Sequence, residues 1–179
     1  MATYKSKYIA NRDAVPTVLT DPIVSRSDVR EAFGVEQVGA SAGAGSKAVM
    51  LSVPSGARLS SLEYAVANVG LGTSALDVAA WFPTQVSNMS GQQLQSSVVA
   101  GALISSSAFK TNIAGVDTGI DWTDGLGGLT SQTLPKRSQP LWQALGLQAD
   151  PNIDIDLGFT VRTNNSLGAY VGLRARYVR

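Results

Sequence analysis

The chain has 179 residues, enough for one domain that buries roughly 70% of its unfolded surface, and it is nearly neutral, with 14 Lys and Arg against 13 Asp and Glu. It contains no cysteine and no histidine, which excludes disulfide scaffolds, thiolate or imidazole metal sites and the His-dependent nucleophilic triads. Charged residues make up only 15%, against about 25% in ordinary domains, so part of the surface is expected to face other protein.

Residues 1–33 read as an extended N-terminal arm. Its apolar side chains, among them Tyr4, Tyr8 and Ile9, show no sustained period. Pro16 and Pro22 hold the preceding residues extended. A short helical turn is expected over Ser27–Phe33, with Ser27 as its cap. Residues 39–46, GASAGAGS, read as a flexible small-residue loop. They resemble a phosphate loop superficially, but the order Gly45-Ser46-Lys47 and the strand pattern that follows do not fit one.

A β domain is expected over 34–179. Lys47–Val53 alternates, with Val49, Leu51 and Val53 on one face, and Pro54-Ser55-Gly56 is turn chemistry. Arg58–Val69 places Leu62, Tyr64 and Val66 together. Ala75–Phe82 groups Leu76, Val78, Ala80 and Phe82, with Trp81 on the other face. Val98–Phe109 is a further strand candidate. Residues 111–139 read as a long irregular loop, a common place for function. Pro140–Gly146 reads as one short helix, with Pro at its start, Gly at its end, and Trp142 and Leu145 on one side. The clearest period-two pattern comes last. Ile153–Arg162 and Leu167–Val178, separated by Thr163-Asn164-Asn165-Ser166, predict an antiparallel hairpin with one buried face. Gly158, Gly168 and Gly172 are places where another backbone could approach, or where the strands twist or bulge.

Taken together, these elements predict an all-β, antiparallel β-sandwich. Its inner face would hold Leu62, Val78, Ile155, Leu157, Phe159, Val171 and Leu173. The acidic groups Asp117/Asp121/Asp124 and Asp150/Asp154/Asp156 could offer oxygen ligands to calcium, but neither has EF-hand spacing. Asp154 and Asp156 are most simply a solvated strand face. No catalytic constellation emerges, and no cofactor or metal is expected. Trp81, Trp122 and Trp142 are candidate contact residues, as a platform or as interface anchors. Near-neutral charge argues against nucleic acid, and no apolar run is long enough for a membrane helix. The opening residues lack a secretory-type apolar stretch, so folding in the cytoplasm of the cell that makes the chain is expected.

Three strings carry a resemblance: YKSKYIANRDAVP near the start, KRSQPLWQALGLQADPNIDIDL, and GLRARYV at the end. They resemble the head decoration, or cement, proteins of tailed bacteriophages. The resemblance implies a jelly-roll-like sandwich, a homo-oligomer (trimer or dimer), the major capsid protein as partner, and a place on the capsid surface of the virion, with synthesis in the bacterial host. Under this reading the arm residues Tyr4, Lys5, Lys7, Tyr8, Ile9 and Arg12 would contact a neighbouring subunit or the shell. The alternative is a tail or head-fibre subunit that touches a receptor or carbohydrate through the 111–139 loop.

Overall fold

Alternation of branched or aromatic side chains with small and polar ones dictates strands, and strands make up most of the described structure. A computed structural model describes residues 3–5, 29–39, 42–67, 75–84, 98–106, 109–114, 119–126, 139–163 and 168–178. Its elements are β1 (Thr3–Lys5), β2 (Val29–Val38), β3 (Lys47–Pro54), β4 (Arg58–Ala67), β5 (Ala75–Trp81), β6 (Leu103–Ser105), β7 (Ile120–Asp124), α1 (Leu141–Ala144), β8 (Asp154–Thr163) and β9 (Ala169–Val178).

Two sheets face each other. One, sheet A, has the order β1-β3-β8-β5-β6, and the other, sheet B, has β2-β9-β4-β7. Among the described strands every pairing is antiparallel except β1 with β3. The pairs are nested: β2 with β9, β3 with β8, β4 with β7 and β5 with β6. A long two-stranded ribbon, doubled at β5–β6 and wrapped so that successive pairs alternate between sheets, gives this order. It is the jelly roll.

The expected inner face is the observed core. Leu62, Val78, Ile155, Leu157, Phe159, Val171 and Leu173 are all completely buried in one cluster between the sheets. Each such side chain contributes roughly 1.5–3 kcal/mol by leaving water. Gly158 sits where β3 shifts register between Val49 and Leu51, and a Cβ at that position would overlap the Ala48 carbonyl. Both expectations for this glycine, close backbone approach and a bulge, hold together.

Several sequence expectations are corrected. β8 and β9 do not form a hairpin: β8 pairs with β3 and β5 in one sheet, β9 with β2 and β4 in the other. Period two records which face of a strand is buried, and both these strands bury a face toward the same core from opposite sides. Val29–Phe33, placed in the arm and in a helical turn, is the first half of β2. The 111–139 stretch contains strand β7, paired with β4. Among the described residues of Val98–Phe109 only Leu103–Ser105 is strand, and the Ala102 amide donates to the Val99 carbonyl to close a turn before it. Residues 42–46 are pinned to β8 through the Gly45 amide to the Val161 carbonyl and the Val161 amide to the Ser46 carbonyl.

Helix α1 lies where it was expected, between Pro140 and Gly146. Gly146 has φ +78°, its amide donates to Gln143, and the Leu147 amide donates to Trp142, which is a Schellman ending. The buried pair is Leu141 and Leu145, one helical turn apart, rather than Trp142 with Leu145. The first amides of the helix are satisfied by the β3–β4 turn, Leu141 donating to Ala57 and Trp142 to Ser55. Buried Ser55 in turn donates its hydroxyl to Asp150, 2.5 Å away.

Candidate functional site

The outward face of sheet B is the conspicuous surface. On β2, residues 32, 34, 36 and 38 turn toward the core and residues 29, 31, 33, 35 and 37 turn away from it. Phe33 and Val35 therefore stand on the outer face, 53% and 45% exposed. β9 adds Tyr170, Gly172, Arg174 and Arg176 in the same outward phase, and β7 adds Trp122. Val29, Phe33, Val35, Trp122 and Tyr170 are five of the seven large apolar side chains exposed among the described residues. Their concentration on one sheet face is what marks an interaction surface.

Trp122 organises this face. Its ring lies over Gly172, where an added Cβ would come within 3.1 Å of the ring edge. The Phe33 ring is 5.7 Å away, tilted by 49°, and the Arg174 guanidinium sits 4.8 Å from the Trp122 centroid. These are favourable aromatic and cation–π separations. Arg174 also donates to Glu63, and Arg176 donates to Glu31 at 2.7 Å, so charge at the margin is paired within the chain. Burial raises the Glu36 carboxyl above its ordinary value, opposed by a hydrogen bond from the Gln37 backbone. Burial, then the Asp124 carboxylate, raises the Tyr64 phenol likewise.

The three tryptophans do not form one platform. Trp81 is 4% exposed on sheet A, with the Lys47 ammonium 6.0 Å from its ring. Lys47 also donates to the Gly101 carbonyl. Trp142 is half-buried on α1, and Trp122 alone joins an exposed aromatic group. Of the arm residues, Tyr4 and Lys5 fall in β1, which pairs in parallel with Lys47–Val49 of the same chain. Lys7, Tyr8, Ile9 and Arg12 lie outside the described residues, as does Asp117. Among the described residues no group of three acidic side chains could hold a metal. Asp156, expected on a solvated face, is buried. No helix among the described residues is long and apolar enough to cross a membrane.

Sequence reasoning found Trp122 but missed Phe33, Val35 and Tyr170. The available signal was apolar residues in the polar phase: Tyr170 and Val178 alternate with the core residues of β9, and Val29, Phe33 and Val35 share one parity.

No protein-family model matches the chain, and no curated protein matches it. Among solved structures it is similar to a chain of the capsid of Ralstonia phage GP4. The two share 14% sequence identity with a TM-score of 0.58, over 99% of this chain and 98% of that one. The likeness establishes a shared fold from end to end.

Proposed function

We propose that this chain is a capsid decoration protein of a tailed phage, which binds the outer surface of the head and stabilises it. The supporting observation is the jelly roll shared over the full length of both chains with a component of a phage capsid. The role is structural rather than enzymatic, needs no cofactor, and uses neither nucleic acid nor membrane. The partners are the major capsid protein and further copies of the chain.

In this reading the hold is multivalent. Each contact is modest, but a symmetric oligomer engages several capsid subunits at once, so detachment requires all contacts to break together. Two surfaces serve it: the segment before β2, with Tyr4, Lys5, Lys7, Tyr8, Ile9 and Arg12, and the exposed face around Trp122. Deleting residues 2–27 leaves β2 and every strand after it intact. The truncated protein is expected to fold but to fail to saturate purified capsids at concentrations where the full chain does. Equal saturation in a sedimentation assay would remove the arm from the mechanism.

A further inference from the structure

β2 ends sheet B, and among the described residues its strand pairing from Arg30 to Val38 is to β9 alone. Ten residues of edge strand are a template for another strand, and proteins usually blunt such edges with proline, lysine or a bulge. β2 has no proline, lysine or bulge: its sequence is VREAFGVEQV, its register against β9 is unbroken from Val29 to Val38, and the only charges in its inward row are Arg30 and Glu36. Its charges are Arg30, Glu31 and Glu36. Glu31 is engaged by Arg176. Arg30 and Glu36 share the other parity and have no ion-pair partner among the described residues, although burial already disfavours an ionised Glu36.

The strand is complementary to itself in one register. Antiparallel pairing of two copies about Phe33 sets Arg30 of each against Glu36 of the other, Ala32 against Gly34, and Phe33 against Phe33. Moving the centre to Gly34 sets Glu36 against Ala32 and Arg30 against Val38, and loses both ion pairs. Moving it to Ala32 sets Arg30 against Gly34 and carries Glu36 past the start of the partner's β2, and again loses both ion pairs. A slip by one residue turns the outward apolar row of one copy inward. The Phe33-centred register also extends the tilted pair Trp122–Phe33 across the two-fold axis.

We propose that β2 pairs with β2 of a second copy, antiparallel and centred on Phe33, joining two four-stranded B sheets into one. Reciprocal Arg30–Glu36 ion pairs lie on one side of the junction, and a row of four aromatic rings, Trp122 and Phe33 from each copy, on the other. The inference deepens the self-association in the proposed function. It rests on that reading for the choice of a second copy and on the strand pattern for the register.

Because the chain has no cysteine, a single introduced thiol reports the axis. Directly paired residues in antiparallel strands have Cα atoms about 4.5–5.5 Å apart, within disulfide reach. Phe33→Cys in the full chain, treated with oxidised glutathione, is expected to run as a covalent dimer on a non-reducing gel. Val35→Cys, about 13 Å from its counterpart in this register, is expected to stay monomeric. By analytical ultracentrifugation, Arg30→Glu and Glu36→Arg should each weaken self-association about tenfold, and the double exchange, which conserves composition, should restore it. Equal cross-linking at 33 and 35, or a double variant no better than the singles, overturns the register. A chain that stays monomeric at all concentrations yet saturates capsids overturns this inference and leaves capsid binding standing. A cross-linked Phe33→Cys dimer without capsid binding supports the pairing and overturns the capsid reading instead.

Discussion

At the scale of single residues, two glycines on central strands of opposite sheets make different demands. At Gly158 the obstacle to a side chain is the Ala48 carbonyl, part of the β3 backbone where it shifts register. Backbone locked in a sheet cannot step aside, so Gly158→Ala is expected to destabilise the fold by about 2–3 kcal/mol. At Gly172 the obstacle is the Trp122 ring, an exposed side chain with room to swing. Gly172→Ala should therefore cost less than about 1 kcal/mol, and the loss should appear instead as a change in tryptophan fluorescence when the ring leaves Phe33 and Arg174. Urea midpoints at constant m-value measure both. Equal costs at the two positions would mean that the Ala48 backbone yields as readily as the Trp122 side chain.

At the scale of elements, strands were legible and their neighbours were not. The strands read over Lys47–Val53, Arg58–Val69 and Ala75–Phe82, and the last two, emerged from period two and flanking turn residues, because each presents apolar residues to one core. The short helix was legible from Pro140 and Gly146, whose conformational preferences are local. β6 and β7 were lost because strands of three and five residues are too short to show a period. β2 was lost because Gly34 and Glu36 occupy its inward row, where a core-facing strand ordinarily carries apolar side chains. The candidate surface was half legible for a related reason: Tyr170 looked like one more member of a polar face until β2 and β7 brought Phe33 and Trp122 onto the same face. Sheet order decides how firmly each element is held. β8 and β9 each lie between two strands and bury nearly every core-facing residue, whereas β1, β6 and β7 are short edge strands. Native-state hydrogen exchange should find the β8 and β9 amides slowest and those of β6 and β7 orders of magnitude faster. Comparable protection in β7 and β9 would contradict the sheet order.

At the scale of the whole molecule, the nested pairing sets how the chain can fold. The innermost pair joins Ala80 to Ser105, while the outermost joins Val29 to Val178, near opposite ends of the chain. Loop-closure entropy rises with the logarithm of the intervening length, so the inner ribbon is the less costly to form and the outer pair closes last. Domains dominated by such distant pairings fold on the millisecond-to-second scale or slower. β9 is the element on which closure turns. It is the sole strand partner of β2 among the described residues, and it separates β2 from β4 in sheet B. It also supplies Ala169, Val171, Leu173, Ala175 and Tyr177 to the core. Removing residues 168–179 should therefore abolish the cooperative urea transition and the near-ultraviolet circular dichroism, although every other strand is still encoded. Removing residues 2–27, a larger loss of chain, should leave the transition in place, because β1 is a three-residue edge strand outside the nested pairs. Those two truncations separate an architecture held by its closing strand from one held by total buried area. If the chain without β9 still unfolds cooperatively, the inner ribbon is a self-sufficient domain and closure is not what holds the sandwich together.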